Sequence, residues 1–241
     1  MTNAESILPL RLSRVSYEAG GNRLVDELSF ELHHGPRTVI LGPNGAGKSL
    51  TLRLCHGLVT PTAGRVAWLG PAADDAARRQ AMVFQRSVLL RRSAAANVTY
   101  ALALRRVPRA RRRALAREAL QQVGLARLAG RPARVLSAGE QQRLALARAW
   151  ALKPEVMFLD EPTANLDPAA SRAIEEAIDA IHRSGTKIVM TTHDLGQARR
   201  LAEEILFLHR GRLVEHAAAD HFFARPSSRE GAAFLKGELV W

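Results

Sequence analysis

Gly42-Pro43-Asn44-Gly45-Ala46-Gly47-Lys48-Ser49 lies between the apolar run Thr38-Val39-Ile40-Leu41 and a helical pattern that starts near Lys48. The stretch reads as a phosphate cradle. Glycines at 42, 45 and 47 let the backbone turn tightly and aim several N–H groups inward, forming an anion-binding concavity at the positive end of the following helix. A triphosphate fits it: Lys48 can reach the β- and γ-phosphates, and the Ser49 hydroxyl can ligate the Mg²⁺ that accompanies them. With Pro43, Asn44 and Ala46 filling the loop, strand, cradle and helix form one nucleotide-binding unit of an α/β fold.

The rest of the composition sets bounds. A chain of 241 residues with 47% hydrophobic content buries a substantial core, enough for one large domain or one domain with an inserted lobe. No apolar run approaches the roughly 20 residues of a membrane span, and Met1 to Leu10 lacks the charged start and apolar core of a signal peptide, so a soluble, cytoplasmic chain is expected. Cys55 is alone, in an apolar helix, and reads as a buried structural thiol. The formal net charge of +12 accompanies a general Ala and Arg enrichment and suits nucleic acid, anionic lipid or an acidic protein surface alike.

Outward from the cradle, Ile7 to Tyr17 reads as a strand, Ala19 to Asn22 as a turn and Leu28 to Leu32 as a second strand. Leu50 to Leu58 is a short buried helix ending at Gly57; Arg65 to Leu69 and Ala81 to Phe84 are strands, the second ending at Gln85. Ser93 caps a helix over Ala94 to Leu104, and another runs from about Arg109 to Val123. Arg105, Arg106, Arg109, Arg111, Arg112, Arg113 and Arg117 form the densest charge in the chain, a solvated face or a surface for lipid headgroups or an acidic partner, with no interleaved aromatics to stack bases. Leu136-Ser137-Ala138-Gly139-Glu140-Gln141-Gln142-Arg143 then opens a helix whose start again suits an anion, through the Ser137 hydroxyl and Gly139 N–H. The apolar strand Val156 to Leu159 ends in Asp160-Glu161-Pro162. Two adjacent carboxylates at the end of a buried strand need an explanation: Asp160 can hold Mg²⁺ and Glu161 can orient or deprotonate an attacking water. A helix from Pro168 to about His182, the strand Lys187 to Thr192, a helix from Leu195 to Ala202 and a hairpin over Ile205 to Val214 complete the order.

These motifs, in this order, resemble an ATP-binding cassette (ABC) ATPase, the motor subunit of ABC transporters, over nearly the whole chain. The resemblance implies a P-loop core with a mainly parallel sheet (about 1–85 and 153–241), an N-terminal antiparallel β subdomain and an inserted α-helical subdomain (about 86–152) bearing the signature Leu136 to Arg143. It implies that Tyr17 stacks on adenine; that Ser137, Gly139 and Glu140 contact nucleotide; that Gln85 senses Mg²⁺ and touches the membrane subunit; that Ala164-Asn165-Leu166-Asp167 couples two active sites; and that His193 contacts the γ-phosphate and catalytic water. Ala138 departs from the commoner glycine, where a methyl can hinder a positive φ or crowd the nucleotide. The resemblance further implies ATP and Mg²⁺ as cofactors, a membrane permease and a second copy of the chain as partners, a separate solute-binding protein for an importer, and a place at the inner face of the cell membrane. Overall similarity points to importers of small oxyanions such as phosphate, tungstate or molybdate. A nucleic-acid-linked cassette ATPase is the competing class, supported by the charge but without the long coiled coils or tandem cassettes usual there; a binding module without turnover is disfavoured by Asp160, Glu161 and His193.

Overall fold

A computed structural model describes Glu5 to Glu238. Of the segment read as lacking a signal sequence, Met1 to Ala4 lie outside the described residues. The chain divides into two compact units, one running up to Arg79 and resuming at Lys187, the other spanning Gln80–Thr186. The second unit gathers the helical lobe together with a strand on either side of it and one further helix, a wider grouping than residues 86–152.

The first leg contains β1 (Leu10–Ala19), β2 (Asn22–Leu32), β3 (Thr38–Leu41), α1 (Lys48–His56), β4 (Ala63–Trp68) and α2 (Ala76–Arg79). β1 is the centre of an antiparallel sheet in the order β2-β1-β4, with Leu12 opposite Phe30 on one side and Val66 on the other. The first strand starts three residues later than Ile7, because Pro9 has no N–H to offer a ladder. The second starts six residues earlier than Leu28: Asn22 to Glu27 lack apolar alternation, but the Gly20-Gly21 turn sets their register and Arg23 pairs across it with Glu18 at 2.8 Å.

The second unit holds β5 (Gln80–Val83), α3 (Ala94–Leu104), α4 (Arg109–Gln122), α5 (Ala138–Trp150), β6 (Val156–Asp160) and α6 (Pro168–Arg183). β5 and β6 pair in parallel, Val83 beside Leu159. Three of its helices begin on side-chain caps: Ser93 accepts from Ala96 N–H, Ser137 from Glu140 N–H and Asp167 from Ala170 N–H. Each such cap is worth about 1 kcal/mol.

The returning leg adds β7 (Lys187–Thr192), α7 (Leu195–Leu201), β8 (Glu204–His209), β9 (Arg212–Ala218), α8 (Ala219–Ala224) and α9 (Arg229–Leu235). β3 lies between β7 and β8, parallel to both, and β9 closes that edge antiparallel to β8. Every residue of β3, β6 and β7 is buried, as expected of parallel strands covered on both faces. Phe207 of β8 meets Phe222 and Phe234 at ring separations of 5.5 and 5.3 Å, which fastens α8 and α9 to the sheet. Each such ring pair contributes about 1 kcal/mol beyond its buried area.

Lys187, whose side chain is fully buried, donates to the Pro36 carbonyl and to Thr38 Oγ1 (2.8 Å) and lies 3.8 Å from Glu204. Burial holds its ammonium pKa down to about 8, against the pull of Glu204 and Glu203. Burial alone works against ionisation of Glu204, but hydrogen bonds from His216 and Thr38 and the charge of Lys187 hold its carboxyl below the ordinary value.

Candidate functional site

In the first unit, the loop between β3 and α1 is fixed by close backbone approach. A Cβ on Gly42 would sit 2.1 Å from the Leu208 carbonyl oxygen, so only glycine fits there. Gly47, at φ 92°, is the left-handed residue that caps α1 with no side-chain partner, leaving the helix start to its backbone N–H groups. Lys48 is buried; its ammonium donates to the carbonyls of Gly42 (2.9 Å) and Pro43 (3.0 Å), which pins it within the loop. Ser49 follows on the same first turn, half-buried. Tyr17 lies half-buried on β1 opposite Val25, and His193 is exposed just after β7, where Asp194 caps α7 through Gln197 N–H at 2.9 Å.

In the second unit, Asp160 ends β6 fully buried, and Glu161 follows it with a left-handed backbone at φ 42°. A non-glycine residue there carries strain of about 1–3 kcal/mol, of the kind that gathers at reactive sites. The Gln85 amide lies 3.5 Å from a Glu161 carboxylate oxygen, which brings the end of the β5 stretch beside the acid pair. Ala164 N–H closes a tight turn onto the Glu161 carbonyl at 3.1 Å, and Asn165 is again left-handed at φ 62°. Ala164 to Asp167 thereby leads from the acid directly into α6, which Asp167 caps.

α5 starts in a full capping box: Ser137 Oγ accepts from Glu140 N–H (3.3 Å), and the Glu140 carboxylate accepts from Ser137 N–H (2.8 Å). Glu140 is thus committed to the helix start. The Ser137 hydroxyl hydrogen, and not its capping oxygen, is the group with which this residue can hold an anion. Ala138 is an ordinary helical residue with an exposed side chain, so its methyl costs the backbone nothing. The tight position is Gly139, where a Cβ would come within 2.7 Å of Ala170 Cβ on α6.

One residue unnoticed in the sequence organises this region. Gln142, buried on α5, donates to the Phe84 carbonyl (3.3 Å) and accepts from the Ser87 hydroxyl, gripping the chain on both sides of Gln85. Its signal was a polar residue on the inward side of a helix, which sequence alone does not separate from the adjacent Gln141. Asn97, fully buried, bonds Leu90 through both its N–H and carbonyl and also bonds the Ser93 carbonyl, so the loop is held at its far end too. A cleft of about 280 Å³ runs over Gln85, Gln142, Ala138 and Asn165. Beside it, an apolar groove of about 330 Å³ is lined by Phe84, Val88, Tyr100, Leu104 and Ala145, with Arg148 donating to the Val88 carbonyl at 2.8 Å.

The family model for ABC transporters matches residues 25–164, from β2 through the cradle, the glutamine loop and the signature to the acid pair. The chain belongs to the ABC transporter family. It is an ATP-binding subunit of that family, an ATPase coupled to transport. A phosphate import ATP-binding protein, PstB 2 of Natronomonas pharaonis, is 35% identical over 96% of this chain and 88% of its own length. A tungstate uptake ATP-binding protein, TupC of Peptoclostridium acidaminophilum, is 38% identical over 90% of this chain and all of its own. Relatives named for other imported solutes, methionine among them, match over similar shares of the chain. The solved structure of CbiO1 from Clostridium perfringens, part of the ABC transporter complex CbiONQ, superposes with a TM-score of 0.79 at 25% identity, covering 90% of each chain. These agree with the α/β class, the antiparallel N-terminal sheet and the mainly parallel core strands expected from the motifs.

Proposed function

We propose that this chain hydrolyses Mg-ATP to drive import of a small inorganic oxyanion such as phosphate, tungstate or molybdate through a separate membrane permease. The observation that carries the hydrolytic part is Glu161, strained at φ 42° beside buried Asp160 and 3.5 Å from the Gln85 amide. A carboxylate so placed accepts a proton from water while the γ-phosphoryl group leaves. The backbone N–H groups from Gly42 to Ser49 and the Lys48 ammonium balance charge on the phosphates, and Tyr17 offers its ring to the adenine. His193 orients the γ-phosphate and the attacking water. Ser49, Asp160 and Gln85 offer hard oxygen donors, the set that Mg²⁺ takes; the ion would neutralise charge on the β- and γ-phosphates.

Ser137, with its hydroxyl hydrogen, and Gly139 serve an anion held by a second copy of the chain, with Ala164 to Asp167 coupling the copies. The groove beside Gln85 receives an apolar segment of the permease, which accounts for its exposed Phe84, Val88 and Leu104. The oxyanion part is supported by relatives named for anion uptake, PstB 2 and TupC among them, and by no residue assigned to the solute; an importer of this kind draws on a separate solute-binding protein, and the chain works at the inner face of the cell membrane. The test is Glu161→Gln: ATP binding should persist through Lys48, Ser49 and Asp160 while single-turnover hydrolysis falls at least about a hundredfold. Near-wild-type turnover would remove Glu161 from the mechanism.

A further inference from the structure

Between Asp75 and Glu118 the sequence holds twelve arginines and not one Asp or Glu, so this segment carries the whole formal net charge of +12; elsewhere 23 basic residues are matched by 23 acidic ones. The charge is therefore a local feature, and an even arginine enrichment does not account for it. Its densest part is the turn from α3 into α4. Arg106, Arg109, Arg111, Arg113 and Arg117 are exposed, and Arg109, Arg113 and Arg117 recur at four-residue steps, about 6 Å apart along one face of the helix. The first turn of α4 contains no acid, so these cations sit at the end of a helix whose dipole disfavours them. The nearest carboxylate along the helix, Glu118, is held by Lys153 at 2.5 Å. A local rule broken this far without compensation marks a functional surface.

We propose that this turn docks on an anionic phospholipid bilayer. Leu104, 67% exposed, stands immediately before the arginines, an apolar side chain flanked by cations as at an interfacial contact. The nearby aromatic, Tyr100, is already stacked under Arg92 at 5.3 Å, which leaves no platform for bases. Leu104 and Arg105 also line the groove assigned above to the permease, so the patch begins at its rim. A permease seated there would bring the arginines to the headgroups of the surrounding bilayer. That continuity rests on the transport reading, but the lipid contact itself needs no permease.

The test is flotation of the full chain with vesicles of phosphatidylcholine, alone or with roughly 30% phosphatidylglycerol. Binding should require the anionic lipid and disappear as NaCl rises from about 0.05 to about 0.5 M. Each arginine near such a surface is worth roughly fivefold in partition coefficient, so a variant with Arg106, Arg109, Arg111, Arg113 and Arg117 changed to Gln should lose at least about a hundredfold. A control with Arg65, Arg127, Arg172, Arg225 and Arg229 changed to Gln removes the same charge elsewhere and should keep most of the binding. Equal loss in both variants, undiminished binding in the first, or tighter retention on duplex DNA than on the anionic vesicles would each overturn the proposal. An environment-sensitive dye on Ala110→Cys, in a chain otherwise wild type at the turn, reports the same contact without relying on the variant's folding: a blue shift with anionic vesicles supports it and an unchanged spectrum refutes it. Permease association is not read by either assay, so failure here leaves the transport reading standing.

Discussion

Gly139→Ala is the sharpest test of how α5 meets α6. In an ordinary helix interior the change stabilises by about 1 kcal/mol, because glycine gives up more backbone freedom on folding. Here the new Cβ would lie 2.7 Å from Ala170 Cβ, closer than real Cβ atoms approach. Both carbons hang directly on helical backbone, so no side-chain rotation relieves the clash and the two helix starts must separate by several tenths of an ångström. Overpacking of this kind costs about 1–3 kcal/mol, which leaves a net destabilisation of about 0–2 kcal/mol once the propensity gain is subtracted. Urea unfolding of wild type, Gly139→Ala, Ala170→Gly and the double variant forms a closed cycle, and removing the opposing methyl should restore most of the loss, with a coupling of about 1–3 kcal/mol. A more stable Gly139→Ala variant, or a double variant showing simple additivity, would refute the close approach. Ala138→Gly, which restores the residue commoner in the family, should by contrast weaken the fold slightly, by about 0.5 kcal/mol, because Ala138 is an exposed helical position.

Gln142→Leu should cost about 1–2 kcal/mol and free the chain around Gln85, so that the amide N–H groups from Gln85 to Val88 exchange faster and hydrolysis falls while ATP affinity holds; unchanged exchange would show that this stretch is held by other contacts. For Lys187, the folded pKa of about 8 lies below the ordinary 10.5, so between these values the unfolded chain binds more protons and stability rises with pH. The unfolding free energy of wild type minus that of Lys187→Met should therefore climb by up to about 3 kcal/mol from below pH 8 to above pH 10, and a flat difference would place the ammonium in water. Asn44→Cys with Ser137→Cys, in a chain with Cys55 replaced, should form ATP-dependent disulfides between copies, because bonding needs Cα atoms within about 7 Å. Crosslinks within one chain only, or equal without nucleotide, would dismiss the two-copy arrangement.

What the sequence made legible followed from local physics. The cradle is fixed by glycine spacing between an apolar strand and a helix. Ser93, Ser137 and Asp167 announce their helices because capping is decided within three residues. β3, β6 and β7 are near-continuous apolar runs that read as doubly covered strands. The missed features depend on distant partners. Lys187 at a strand start looks solvent-facing until Pro36 and Thr38 close over it. Glu140 looks available to a nucleotide until its carboxylate is found on the Ser137 N–H. The concern over Ala138 belonged to its neighbour, because only the position of α6 reveals which of the two residues lacks room. The early start of β2 escapes hydropathy because a two-glycine turn, and not apolar alternation, sets it.

The double grip of Gln142 has a mechanical consequence. α5 is thirteen residues long, about 20 Å, and its far end is also fastened, through Trp150 Nε1 to the Ser184 hydroxyl at 3.2 Å just past the end of α6. Near its start, Gly139 lies flush against Ala170. The helix behaves as a stiff rod clamped alongside a second rod, with the Gln85 loop riveted to it one turn from the Ser137 end. A displacement of the chain at Phe84 and Ser87 is therefore shared with α5, whose first turn holds Ser137. On the proposed reading, a permease segment in the groove and an anion at Ser137 would act on one and the same rod.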